Sequence, residues 1–354
     1  MAACICDMKK AYTFWIGSYR AGVLKLSFEE DGQNARVTPQ VSVRRVGYLA
    51  QRGSLLYALT ESPGASGLPG ELTTFQVQSD AIRKISARQD LEPVMPHLTT
   101  ANDMLYACSY GLGTVVAVSL LPGGIPGART QTLQLYGSGV NPARQTCPHP
   151  HSVWTAPDGR ALYVCDLGTD TLEVFAIEEG RFFRLPAASV HTAPGEGPRH
   201  LAFHPEKRIS YLLTEMGCSV YTLDLTDSLA PMRMGRVDAC PGLPQEQRGG
   251  AAIRVSPDGK FLYCSNRSER GGRIDWFTLE DPMRPRHAGT VSDGLFFPRD
   301  FALSRDGQYL VSAGQREETI ILWKRNAQTG ALSKLRTIQD VPEPVCVLNW
   351  KETP

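Results

Sequence analysis

Short apolar runs with a period close to two recur along the chain, and no ten-residue stretch carries a convincing 3.6-residue period, so strands rather than helices are predicted throughout. A strand-like hexamer ending in a polar or bulky residue returns seven times. The copies are FWIGSY at 14–19, LYALTE at 56–61, LYACSY at 105–110, LYVCDL at 162–167, SYLLTE at 210–215, LYCSNR at 262–267 and LVSAGQ at 310–315, with ends 42, 49, 57, 48, 52 and 48 residues apart. A repeat of that length fits a four-stranded propeller blade.

Four hexamers are preceded by a turn tetrad: PDGR from Pro157, PEKR from Pro205, PDGK from Pro257 and RDGQ from Arg305. Pro, Asp and Gly in that order read as a hairpin turn. Ahead of each turn lies a short apolar run, SVWTA from Ser152, HLAFH from His200, AIRVS from Ala252 and DFALS from Asp300. A third strand follows in TLEVFAI from Thr171, VYTLDL from Val220 and IILWKR from Ile320. The first hexamer has no strand before it, whereas PVCVLNW from Pro344 follows the last one. Pairing these two ends in one blade closes the ring and removes its open edges. The expectation is an all-β, seven-bladed β-propeller forming a single domain over 1–354, closed by the N- and C-terminal strands, with residues 1–10 as a short tail.

The start of each first strand and the end of each second strand lie together, opposite the turn. Six residues before the Pro or Arg of the four turns stand His151, Arg199, Ala251 and Arg299; at or near the second-strand ends stand Glu61, Tyr110, Asp166, Glu215, Arg267 and Gln315. Topology therefore collects ionisable groups on one face around the central channel, where a propeller has room for a small ligand. Clustered arginines suit a carboxylate or phosphate. Glu215 suits a general base and His151 an acid or base, a set that fits lactone chemistry in either direction.

Each of these residues also has a structural reading. His149 and His151 can cap strand-entry backbone; Arg199 and Arg299 can pair neighbouring blades; Glu215 and Arg267 can pair with each other across the channel. Asp166 can bond loop amides. His97, His191, His204 and His287 are read as structural or solvated, and the glycines of GEGP and ERGGR lack the strand–helix context of a phosphate loop.

Composition narrows the field. The net charge of +1, from 37 basic against 36 acidic residues, gives no broad positive field for nucleic acid or an anionic membrane. No run approaches the roughly 20 apolar residues of a membrane span, and a cytoplasmic location is expected. Nine cysteines are scattered; Cys108, Cys165 and Cys264 lie in apolar runs and read as buried thiols. Cys4 and Cys6 form a C-x-C without a second pair at zinc-like spacing, so no metal is expected.

From His149 onward the chain resembles the lactonase family of seven-bladed propellers, which includes bacterial 6-phosphogluconolactonase and fungal carboxy-cis,cis-muconate cyclase. The resemblance rests on PHPHSVWTAPDGRALYVCDLGTDTLEVF, GEGPRHLAFHPEKRISYLLTE, AAIRVSPDGKFLYCSNR, FPRDFALSRDGQYL and VPEPVCVL, with looser matches in IGSY at Ile16 and LYALTES at Leu56. It implies catalytic or binding roles for His151, Arg199, Glu215 and Arg267; His149, Asp166, Arg299 and Glu61 are expected as further substrate contacts from their place on the same face. Two departures stand out: QEQRGGAA from Gln245 replaces a Glu-Asn pair, and LTEM replaces an Asn-Glu ending at Thr214. The implied function is hydrolysis of a sugar lactone, foremost 6-phospho-D-glucono-1,5-lactone to 6-phosphogluconate, within the pentose phosphate pathway. The alternatives are a carboxy-cis,cis-muconate cycloisomerase and, in another class, a non-catalytic interaction scaffold. No cofactor is expected, the partner is a small anionic lactone or carboxylate, and a monomer is the default.

Overall fold

The computed structural model describes residues 10–61, 69–78 and 81–351. Cys4 and Cys6 and all of the expected tail except Lys10 lie outside the described residues. Seven antiparallel sheets follow one another along the chain. The closing blade runs Pro344–Asn349, Ala11–Ser18, Gly22–Glu29 and Arg36–Val41 from the axis outward, so the C-terminal strand supplies the innermost position. The other six first strands, Val46–Arg52, His97–Ala101, Pro150–Thr155, Pro198–Phe203, Gly250–Val255 and Pro298–Leu303, begin blades two to seven. Neighbouring first strands touch in an unbroken cycle from Pro344–Asn349 round to Pro298–Leu303 and back. The seven-bladed propeller and its closure by the two chain ends are as the sequence predicts.

The repeated hexamers are the second strands, and their near-continuous apolar character has a direct cause. Each sheet is sandwiched between two others, so both faces of its inner strands are buried and the usual alternation is lost. Leu212 packs toward the fourth blade, whereas Tyr211 and Leu213 pack toward the sixth. The seven principal hydrophobic clusters map one to each inter-blade interface, including the seam between the closing blade and the second, where Trp15, Val46, Leu56 and Cys346 meet.

Polar staples supplement this packing. In five blades the tyrosine of the second strand donates to a loop carbonyl of the next blade: Tyr57 to Gly124, Tyr106 to Gly180, Tyr163 to Ser228, Tyr211 to Pro282 and Tyr263 to Gly330. In the seventh, the hydroxyl of Tyr309 accepts from the Asp31 amide across the seam to the closing blade. Nearer the axis, Ser152 donates to the Arg199 carbonyl at 2.6 Å. Asp300 accepts from Arg254 and from the Val347 amide, tying blades six, seven and the closing blade together.

Tyr163→Phe removes a buried 2.6 Å hydrogen bond and leaves the Ser228 carbonyl without it. Stability should fall by about 1–3 kcal/mol, read as a lower urea midpoint with an unchanged slope. An unchanged midpoint would show that the staple contributes nothing.

Candidate active site

The functional side chains owe their direction to a repeated backbone irregularity. In six blades the pairing of first and second strand slips near the first strand's start. His151 falls between the pairs Pro150–Asp166 and Ser152–Cys165, Arg199 between Pro198–Thr214 and His200–Leu213, and Arg299 between Pro298–Gly314 and Asp300–Ala313. Such a bulge leaves one residue unpaired and re-aims its side chain. In the second blade the corresponding residue is Gly47, where a Cβ would lie 2.6 Å from Oε1 of Glu61, so the absent side chain makes room for that carboxylate.

Glu215, just past the end of Ile209–Thr214, is the centre of the constellation. Its Oε1 accepts from Arg144 at 2.7 Å, and its Oε2 accepts from Arg199 Nε at 2.9 Å and Arg267 at 3.1 Å. His151 Nε2 stands 3.9 Å from the same Oε2. Burial alone would raise this carboxyl, but the guanidinium groups of Arg267 and Arg199, with a smaller share from Arg144, outweigh it and hold it well below the usual carboxylate range. Burial and then Arg199 push His151 well below its ordinary value, so the imidazole is neutral at pH 7. Arg199, desolvated and close to Arg267, is lowered to about 9 and is still a cation at neutral pH. It also donates to the Ala251 carbonyl of the next blade.

A second cluster faces the first. Tyr19 donates to Glu61 Oε2 at 2.6 Å and accepts from Arg299 at 2.9 Å, while Arg45 lies over the tyrosine ring at 4.2 Å. Arg299 also reaches Gln315, at 3.4 Å. Beneath His151 the axis is filled by aromatic groups: His200 is 5.3 Å from the His151 ring and 5.7 Å from His97, which packs between Tyr48 and Trp154. The cluster around Glu215 therefore faces one side of the propeller, into an open cavity of about 510 Å³ lined in part by Arg144, Glu215, Arg267, Phe297, Arg299 and Arg316.

The structure brings His151, Arg199, Glu215 and Arg267 together and places Arg299 on the cavity wall. Glu61 lies behind Tyr19 and Arg299. His149 stacks on Tyr110 at 4.5 Å and its Nδ1 is 2.8 Å from the Tyr110 carbonyl, which turns it away from the cavity. Asp166, expected among the substrate contacts, is fully buried and accepts from the amides of His149 and Gly168 at 2.7 and 2.9 Å. Burial lifts its carboxyl to about 6, and it shapes the loop beneath His149, the second of its two sequence readings. Neither His149 nor Asp166 lines that cavity; His151 and Arg199 are buried and reach it only through Glu215.

Sequence reasoning missed Arg144, which lies in the connection between blades three and four. The one signal was the 57-residue spacing there, the longest of the six. Tyr19 was visible only as the end of a hexamer, and Phe297, stacked under Arg267 and Arg316 at 5.4 and 4.4 Å, only as part of FPRD. Among the described residues no group of three or more His, Cys, Asp or Glu side chains could hold a metal ion, and no helix is long and apolar enough to cross a membrane. A carboxylate base and guanidinium donors in one cavity, with a buried neutral imidazole beside the carboxylate, can activate water beside a carbonyl and stabilise the oxyanion that forms.

Comparison with known proteins identifies the family of the fold. The sequence model described as Lactonase, 7-bladed beta-propeller matches residues 13–349. An uncharacterised protein of Lactococcus lactis subsp. cremoris (strain MG1363) is 33% identical over 70% of this chain and 72% of its own. A protein of Bacillus subtilis (strain 168) named 6-phosphogluconolactonase is 26% identical over 95% of this chain and 97% of its own. The structure of the periplasmic gluconolactonase of Pseudomonas aeruginosa superposes with a TM-score of 0.89 at 25% identity, covering 98% of this chain and all of that one (100%).

Glu215→Gln leaves buried guanidinium groups without their counter-charge and should cost about 3–5 kcal/mol at neutral pH. Because the folded carboxyl is depressed, the unfolded chain takes up its proton first as pH falls. The stabilisation is complete above the ordinary value of 4.5 and is lost progressively below it. Urea midpoints should therefore separate natural protein and variant widely at neutral pH and less at about pH 3.5; an equal gap at both would contradict the charge assignment.

Proposed function

Because this chain belongs to the seven-bladed β-propeller lactonase family, we propose that its central site hydrolyses a sugar lactone, with 6-phospho-D-glucono-1,5-lactone as substrate and 6-phosphogluconate as product. The observation that carries this reading is one carboxylate, Glu215, held by Arg144, Arg199 and Arg267 beside the neutral imidazole of His151. The surroundings favour a phosphorylated substrate: five arginines against three glutamates line the cavity, a local cationic excess that the near-zero net charge of the whole chain conceals.

In this reading Glu215 takes a proton from water as its oxygen attacks the lactone carbonyl. The carbonyl electrons move onto oxygen, and the guanidinium of Arg267, on the cavity wall, stabilises that oxyanion while Arg199 holds Glu215 from beneath. Collapse breaks the bond from the carbonyl carbon to the ring oxygen, which receives the proton held by Glu215. The acid ionises to the product carboxylate and releases one proton. His151 orients the attacking water. The gluconolactonase and 6-phosphogluconolactonase names among the similar proteins favour hydrolysis over muconate cycloisomerisation and over a scaffold.

Freshly generated 6-phosphogluconolactone should be opened by the purified protein far faster than it hydrolyses alone. Glu215→Gln, assayed below its melting temperature, should lower kcat by about 10²–10⁴, and Arg267→Ala should raise KM as well as slow turnover. Full activity in both variants would remove the site assignment.

A further inference from the structure

The three guanidinium groups on Glu215 are not equivalent. Arg199 has a side chain 2% exposed and is fixed a second time by the Ala251 carbonyl. Arg267 is 12% exposed and packed over Phe297. Arg144 is 42% exposed; its other side-chain bond is a 3.3 Å contact to the Tyr110 hydroxyl, and it comes from a loop rather than a strand. The cavity's other rim cations are engaged elsewhere, Arg248 with Asp238 and Arg316 with Glu269. Arg144 is therefore the cation at this carboxylate with the most freedom to leave it.

That freedom bears on a difficulty in the chemistry. A carboxylate surrounded by Arg144 from the blade-three connection, His151 from blade four, Arg199 from blade five, Arg267 from blade six and, at longer range, Arg299 from blade seven is a weak base. Proton abstraction from water improves as the accepting group becomes more basic. Taking Arg144 away removes the bond to Oε1 and restores part of that basicity, although Arg267 and Arg199 stay, and an incoming dianion on the cavity side offers Arg144 a stronger partner than the one it leaves.

We propose that Arg144 is an exchangeable cation that reads the substrate: the phosphate of a phosphorylated lactone draws its guanidinium off Glu215 Oε1, and the carboxylate so released activates water. This rests on the lactonase reading above and adds to it a specificity-determining residue. A neutral lactone cannot draw Arg144 away, so the same site hydrolyses it with Glu215 still covered. Discrimination then arises in the chemical step as well as in binding.

The test is Arg144→Gln, with Arg144→Lys beside it, assayed on 6-phosphogluconolactone and on unphosphorylated gluconolactone. The expected result is a fall of about tenfold or more in the ratio of kcat/KM for the phosphorylated over the neutral lactone. KM for the phosphorylated lactone should rise, kcat on the neutral one should increase, and Arg144→Lys should recover part of the ratio. An unchanged ratio, whether both activities fall together or neither changes, overturns the proposal, because a residue that merely props Glu215 would affect both lactones alike. Calorimetric binding of 6-phosphogluconate and gluconate separates this from the parent reading. If the natural protein turns over neither lactone, the hydrolase reading fails, whereas a preference for the phosphorylated acid that drops in Arg144→Gln still supports the cation's role. No such preference in the natural protein overturns it.

Discussion

The bulge at the entry of the first strands is the constraint from which the site follows. Seven first strands crowd one axis, and a regular ladder would send their side chains alternately into the two neighbouring inter-blade interfaces. A slipped residue is released from that alternation, which frees His151, Arg199 and Arg299 to serve the centre. Gly47 is the same position used in reverse, giving up its own side chain so that Glu61 can fold over it. The chemistry of the centre is thus a choice of one residue per blade at a backbone position that the fold already provides.

Charge balance makes that centre affordable. Arg199 and Arg267 are desolvated cations whose burial is tolerable only beside Glu215, and Glu215 stays ionised in that setting only because of them. The cluster is at once a stabilising element and the reactive one. Its ion-pair partners come from the connection between blades three and four and from blades five and six, so the cluster also ties those parts together at their inner ends.

Much of this was legible in the sequence, for reasons that can be named. The hexamers stood out because second strands are buried on both faces. Their tyrosines recur because the hydroxyl must reach a loop of the next blade, a purpose the repeat itself did not disclose. His151, Arg199 and Arg299 could be found because a hairpin places them at a fixed offset from a turn rich in Pro, Asp and Gly. Direction was harder to read: Asp166 is the fifth residue of its hexamer and Glu215 the sixth of its own, and Asp166 points to amides rather than to the cavity. Arg144 follows neither a strand period nor a turn signature, and only the length of its connection hinted at it.

The seam between the chain's two ends has a consequence for how the protein comes into being. Glu215 and its partners belong to blades three to six and their connections, and can meet once that arc is assembled. Tyr19, Glu61 and Arg299 sit on the closing blade, the second and the seventh, and meet only across the seam that Pro344–Asn349 closes by pairing with Ala11–Ser18. During synthesis the first of these strands waits for nearly the whole chain to emerge before its innermost partner exists, a contact of the largest sequence separation the fold contains. A nascent chain that has not yet reached Pro344–Asn349 has one half of the centre and lacks the register that sets the other, so competence for ligand arrives with that strand rather than growing blade by blade.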